Sequence, residues 1–292
     1  MRLHVLGTAA GGGLPQWNCA CPGCSGARVH PGWRRRHASL AVEVGDGRCF
    51  VVNATPDIAD QVEQTAALHP GPGPGPRRTP LEGVVLTDAE LDHTLGLARL
   101  REAEGLEVVA TSAVREALTR GLCLDRTLAP YTRLTWRELT PHGGLTLGGA
   151  IEVAAVPVSG KRPRYAADLD SEADGWVAAL RLTDRETGGV CVYAPAMGVW
   201  PDGLDGADCV IVDGTFWDEE EPRRTGVSSR TATEMGHLSI EATMERLAAL
   251  PGRALYTHLN NTNPLADPGA PHHKVLDEVG VEVAADGMVI EL

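Results

Sequence analysis

The chain has 292 residues, of which 43% are hydrophobic and 22% charged, with a formal net charge of −13. That balance fits a folded globular protein, excludes a disordered chain, and argues against nucleic acid as a partner, because phosphate binding needs clustered Lys and Arg. The length suits one large α/β domain spanning 1–292, and aromatics at 4% leave its core to Ala, Val and Leu.

Arg2 to Leu6 reads as a short strand ending at Gly7. Neither this start nor any later segment has the apolar length of a signal peptide or a membrane span, so a cytoplasmic, membrane-free protein is expected. In that compartment the seven cysteines are reduced, and their odd number and uneven spacing speak against a disulfide framework.

Three of the cysteines crowd into one loop at 17–26. In Trp17-Asn-Cys19-Ala-Cys21-Pro-Gly-Cys24 the Cys-Pro-Gly-Cys spacing is that of a zinc knuckle, whose turn lets both sulfurs face one ion. Cys19 supplies a third thiolate, so a structural Zn²⁺ site needs one more ligand. His30, His37, His237 and a residue near His258 are the candidates. Free thiols or a redox dithiol are the alternatives, and no βαβ pattern surrounds the motif as the redox reading requires. Arg34-Arg35-Arg36 is a solvated basic loop. Cys49, Cys123, Cys191 and Cys209 lie in apolar runs and read as core.

Strands at Ala38–Val44 and Arg48–Asn53 flank Gly45-Asp46-Gly47, a hairpin signal. Asp57 to Leu68 has helical character and runs into a Pro/Gly-rich segment at 70–80, read as a surface loop because its prolines fit neither helix nor central strand. A strand at Gly83–Leu86 leads into Thr87-Asp88-Ala-Glu90-Leu-Asp92-His93 and a helix with Leu91, Leu95 and Ala98 at helical spacing. Ser112–Arg120 is a further helix. Strands follow at Ile151–Val158, Gly189–Tyr193 and Asp208–Val212. Ser239 is an N-cap for a helix presenting Ile240, Met244, Leu247 and Leu250 on one face, and Arg253–Thr257 is a strand delivering His258. The alternation suggests two mixed sheets with helices outside.

Polar side chains at the end of a strand project into the usual ligand crevice of layered α/β folds. The Asp88–His93 turn read alone is a solvated helix start, where acids suit the helix dipole. Two strand-end histidines, His93 and His258, with the neighbouring carboxylate of Asp92 point instead to a metal centre.

Gly11 to Cys24, Thr87 to Gly96, Val212-Asp-Gly-Thr-Phe-Trp217, Met235-Gly-His237 and Tyr256-Thr-His-Leu-Asn-Asn-Thr-Asn-Pro264 together resemble the pyrroloquinoline quinone (PQQ) biosynthesis protein B family. The resemblance runs from the first strand to Asp286-Gly-Met288. It implies a metallo-β-lactamase-like αββα sandwich of two mixed sheets flanked by helices. Hydrolases of that superfamily read His-x-His-x-Asp-His after the strand; here the last two positions are kept as Asp92 and His93, while Asp88 and Glu90 replace the first two. Val156-Pro-Val-Ser159 carries Ser where a hydrolase ligand His is usual, and Tyr193 to Gly198 lacks a bridging Asp.

The ligand set left, Asp92, His93 and His258, resembles the two-His-one-carboxylate triad suited to Fe²⁺, with zinc, manganese and copper as competitors. Asp88 and Asp213 add a ligand or orient one. His237 is either a proton carrier at this centre or the missing ligand of the cysteine site. The implied function is metal- and oxygen-dependent hydroxylation of a small glutamate–tyrosine-derived PQQ precursor, alongside other enzymes of that pathway. Lys161, Arg162 and Arg164 are candidates to grip its carboxylates. A two-metal hydrolase and a non-catalytic PQQ carrier are the alternatives.

Overall fold

The computed structural model describes residues 1–71 and 77–292. In chain order its strands are β1 (Arg2–Gly7), β2 (Ser39–Glu43), β3 (Cys49–Val52), β4 (Leu81–Val85), β5 (Gly105–Ala110), β6 (Arg133–Glu138), β7 (Gly144–Leu147), β8 (Ile151–Ser159), β9 (Val177–Asp184), β10 (Val190–Ala194), β11 (Cys209–Asp213), β12 (Arg253–Thr257), β13 (Glu282–Val283) and β14 (Val289–Glu291). They form two seven-stranded sheets, ordered β14-β1-β2-β3-β4-β5-β6 and β13-β12-β11-β10-β9-β8-β7. Each sheet is antiparallel on one side and parallel on the other: β3 to β6 run parallel in the first, β10 to β13 in the second.

Side-chain alternation explains why the sheets stack. In β11, Cys209 and Ile211 face the other sheet while Val210 and Val212 face the helices; in β4, Val85 faces inward and Val84 outward. Both faces are covered, so such strands are near-continuous apolar runs. The inter-sheet core joins Val5, Leu40, Val42 and Val85 of the first sheet to Val153, Leu180, Ile211 and Leu255 of the second. Burying one such side chain contributes about 1.5–3 kcal/mol. Ile240 and Leu247 of the helix Ile240–Ala248 cover the outer face of the second sheet, and Leu97, Val114 and Leu118 cover that of the first. The result is the αββα sandwich.

The hairpin at 45–47 is present, with all three residues at positive φ, and Ser239 Oγ caps its helix by accepting from Ala242 N. Several expectations need correction. Asp57–Leu68 splits into a helix, Ile58–Glu63, and a 3-10 turn, Ala66–Leu68. The helix after β4 is two short pieces, Leu91–Thr94 and Gly96–Arg99, and Leu91 and Leu95 are exposed rather than core-facing. Its inward face is given to His93 and Thr94, and the opposite side must then be wet. Gly96 abuts the next segment so closely that a Cβ would lie 2.2 Å from the Thr55 carbonyl. Ser112–Arg120 is α-helical only to Glu116 and continues as a π-turn. Cys123 is half-buried, with a left-handed backbone, rather than core. Of the Pro/Gly-rich loop at 70–80, residues 72–76 lie outside the described residues. No helix among the described residues is long and apolar enough to cross a membrane.

Candidate metal centre

The C-terminal ends of β4, β11 and β12 open on one side of the sandwich, and each delivers part of one site. After β4 the chain passes Thr87 and makes an isolated bridge from Asp88 to Val177 at the start of β9, tying the two sheets together. The next turn aims Asp92 and His93 inward. After β12, His258 takes a left-handed backbone at φ +59°, and its ring comes to 5.3 Å from that of His93, centroid to centroid.

One ligand atom from each of Asp92, His93 and His258 lies within 4.8 Å of the others. Asp92 Oδ2 is 3.4 Å from His258 Nε2 and 3.7 Å from His93 Nε2. The other ring nitrogens are held from behind. His93 Nδ1 is 2.7 Å from Asp88 Oδ2. The hydroxyl of Thr215 donates to Asp213 Oδ1 at 2.5 Å and so can only accept from His258 Nδ1–H, at 2.8 Å. Both imidazoles therefore present Nε2 to Asp92. His93 Nε2 is buried with no hydrogen-bond partner among the described residues. An orphaned nitrogen of this kind is costly unless something occupies the space before it.

The electrostatics favour a cation at that point. Burial pushes the His93 imidazolium down, but the carboxylates of Asp88 and Asp92 outweigh it and hold its pKa up to about 9. Burial likewise pushes Asp92 up, and the charge on His93 with the contact to His258 reverses this, leaving the carboxyl well below its usual range. His258 is lowered, by burial and by the charge on His93. A buried pair of carboxylates wants positive charge.

Asp213, His237 and His258 make a second group with ligand atoms within 4.8 Å. Its carboxylate is already committed: Asp213 accepts from Met197 N, Thr215 N, Thr215 Oγ1 and His237 Nδ1. His237 stacks on His258 at 5.7 Å and groups with Asp213 and His258, not with the cysteines. Its Nδ1 meets Asp213 Oδ2 at 2.7 Å and Thr215 Oγ1 at 3.1 Å, while its Nε2 has no partner among the described residues.

The residues surround a cavity of about 550 Å³. Its wall includes Gly11 and Gly12, Tyr165, Phe216 and the cations Lys161, Arg162, Arg164 and Arg230. Lys161 Nζ lies 3.5 Å from Glu90. Arg162, although it lines the cavity, donates to the carbonyls of Leu169 and Ser171 and covers the Trp176 ring at 4.6 Å, so much of its donor set is already engaged. Among the described residues the Arg164 and Arg230 guanidiniums make no ion pair, and Arg230 Nη1 donates to the Glu234 carbonyl at 3.4 Å.

Cys19, Cys21 and Cys24 also converge, their sulfurs within 4.8 Å. Burial, then the neighbouring thiols, pushes Cys24 up to about 12, whereas Cys21 is lowered by hydrogen bonds from Cys24 N and Asn261 in spite of burial. None of His30, His37 and His237 sits here. His30 stacks on Trp33, and His37 pairs with Asp57 at 2.6 Å. The side chain that approaches the cluster is Asn261, whose Nδ2 donates to Cys19 and Cys21 Sγ at 3.2 and 3.3 Å. Asn261 and Thr215 were not singled out from sequence as individual residues. Their only signal was membership of the motifs around His258 and Asp213.

Residues 48–259 match the family model described as the β-lactamase superfamily domain. The chain is 39% identical to coenzyme PQQ synthesis protein B of Azoarcus sp. (strain BH72), covering all of both chains, and 40% identical to that of Cupriavidus necator, covering 99% of each. Among solved structures, zinc-bound PqqB from Methylobacterium extorquens superposes with a TM-score of 0.89 at 29% identity over the whole of both chains. A diphosphatase of the PhnP family shares the fold, with a TM-score of 0.70 at 20% identity, the match covering all of this chain and 97% of that one.

Proposed function

The chain belongs to the coenzyme PQQ synthesis protein B family of the β-lactamase superfamily, and from that premise we propose that it is a metal- and oxygen-dependent hydroxylase acting on a glutamate–tyrosine-derived PQQ precursor. The observation that carries this reading is the buried, partnerless Nε2 of His93 facing Asp92 and beside His258. Asp92, His93 and His258 would hold one divalent ion. One carboxylate and two imidazoles suit Fe²⁺, which in such a set keeps positions open for dioxygen and substrate and supplies the redox chemistry of ring hydroxylation.

The chain's own groups do the rest. Asp88 and Thr215 fix the tautomers of His93 and His258 from behind, which orients ligands and raises their basicity. His237, held through Nδ1 by Asp213, is placed to exchange a proton at Nε2 with a substrate hydroxyl in the cavity. Lys161, Arg164 and Arg230 line the same cavity and would meet substrate carboxylates, in a chain whose overall charge is negative. The thiolates of Cys19, Cys21 and Cys24 would hold a structural Zn²⁺, with the Asn261 amide donating to two of them.

A second reading, a two-metal hydrolase, is favoured by the group Asp213, His237 and His258. Against it, all four hydrogen bonds to Asp213 would have to be given up in part for a second ion. Anaerobic reconstitution with Fe²⁺, followed by oxygen and a precursor bearing a dihydroxyphenyl ring, tests the proposal. Oxygen uptake with a product heavier by oxygen is expected. Unchanged substrate would favour a carrier, and two ions in the cavity a hydrolase.

A further inference from the structure

His258 is the one candidate ligand of the centre whose backbone is left-handed, at φ +59°. A non-glycine residue keeps that conformation only where its surroundings over-determine it. Here the following three residues are clamped on two sides. Leu259 N donates to the Thr8 carbonyl, Ala10 N donates to the Leu259 carbonyl, and Asn260 N donates to the Thr215 carbonyl. Asn261, only 3% exposed, then plugs into the cysteine cluster: its amide meets Cys19 and Cys21, and its carbonyl accepts from Cys21 Sγ at 3.2 Å. The approach is so close that a Cβ on Gly23 would lie 2.5 Å from that carbonyl oxygen.

The cluster reaches the other side of the centre as well. Cys24 Sγ accepts from Gln16 N, and the segment leading to Gln16 carries Gly11 against Asp92, where a Cβ would be 3.4 Å from the carboxylate carbon. The cysteine loop is therefore tied along the backbone to both sides of the triad, through Asn261 to His258 and through Gln16 to the Gly11 segment beside Asp92. We propose that Asn261 is a positioning residue through which the cysteine cluster sets the distance of His258 from Asp92 and His93, so that the integrity of this contact governs metal affinity at the triad. The proposal rests on the reading of both groups as metal sites.

Titration of the full chain with Co²⁺ tests it, because thiolate-to-cobalt absorption reports the cysteine cluster and the remaining visible bands report the triad. In wild type, two equivalents are expected, one of each kind. In Asn261→Ala the thiolate band should persist while the second equivalent binds about tenfold or more weakly with altered bands, the size of effect seen when groups behind a metal ligand are lost. Gly23→Ala leaves every candidate ligand in place and pushes the Asn261 segment away; it should do the same, and it decides the matter if Asn261→Ala does not fold. Second-equivalent binding in both variants as tight as in wild type, with the same bands, overturns the role of Asn261. A wild type that takes up cobalt at the thiolates alone overturns the metal reading of the triad itself.

Discussion

Asp88 Oδ2 lies 2.7 Å from Nδ1 of His93, and this one contact dictates which nitrogen of that ring faces the cavity. Thr87 Oγ1 and Glu90 N also donate to Asp88, so the carboxylate is fixed before it fixes the imidazole. Asp88→Asn keeps the shape and removes the charge. It should weaken divalent-metal affinity about 10–100-fold, measured by calorimetric titration, with the thiolate-bound ion unaffected. Affinity equal to wild type would leave Asp88 without a part in the site.

His258→Ala removes a candidate ligand atom of the triad. Metal content after dialysis should fall from two ions per chain to one, and the remaining ion should be the thiolate-bound one. A variant retaining both ions would place the second ion elsewhere.

Cys21→Ser should act through stability. Loss of a structural metal belongs among the changes costing above about 4 kcal/mol, and at about 2–4 °C per kcal/mol for a large domain the expected fall in Tm is roughly 8–16 °C, with reduced soluble yield. A variant with wild-type Tm but no activity would contradict the structural role.

Arg162 and Arg164 are two positions apart and should behave oppositely. Arg162→Gln forfeits two carbonyl hydrogen bonds and the stacking on Trp176 and should cost about 1–3 kcal/mol in urea unfolding. Arg164→Gln should leave stability within about 0.5 kcal/mol and raise KM with little change in kcat. Equal effects on stability would erase the distinction between a framework and a cavity cation.

Glu221 is buried, accepting from Trp217 N and from the Thr262 hydroxyl. Burial pushes its carboxyl from 4.5 to about 7, against these two donors. The folded chain then binds more protons than the unfolded chain between those values, so stability falls as pH rises from 4.5 through about 7. At about 1.4 kcal/mol per pH unit the loss is at most about 3 kcal/mol. Glu221→Gln should flatten the dependence of urea-unfolding free energy between pH 5 and 8; an unchanged slope would assign it to another group.

Much of the framework was legible locally. Strands buried on both faces, such as Cys209–Asp213 and Arg253–Thr257, are apolar runs that end abruptly in polar residues, and the 45–47 turn announces itself by its glycines. Strands β5, β6, β7, β9, β13 and β14 went unread. Edge strands such as β6 and β7 are half-wet and offer only two apolar residues each, Leu134 and Trp136 or Leu145 and Leu147, too few for the period to stand out. The helical spacing of Leu91, Leu95 and Ala98 misled because a short helix has one buried face, and here the site claimed it.

What the sequence by itself determined was the supply of ligand types at strand ends: Asp92, His93 and His258, and three thiols within one loop. Only the tertiary structure decided their partners. It turned Asp88 and Asp213 into carboxylates behind histidines, moved His237 beside His258, spent Arg162 on Trp176 and brought Asn261 to the cysteines. The physical reason is range. Strand and turn preferences are set by neighbours along the chain, whereas a hydrogen bond to a ring nitrogen depends on how two sheets, built from distant segments of the chain, pack against each other.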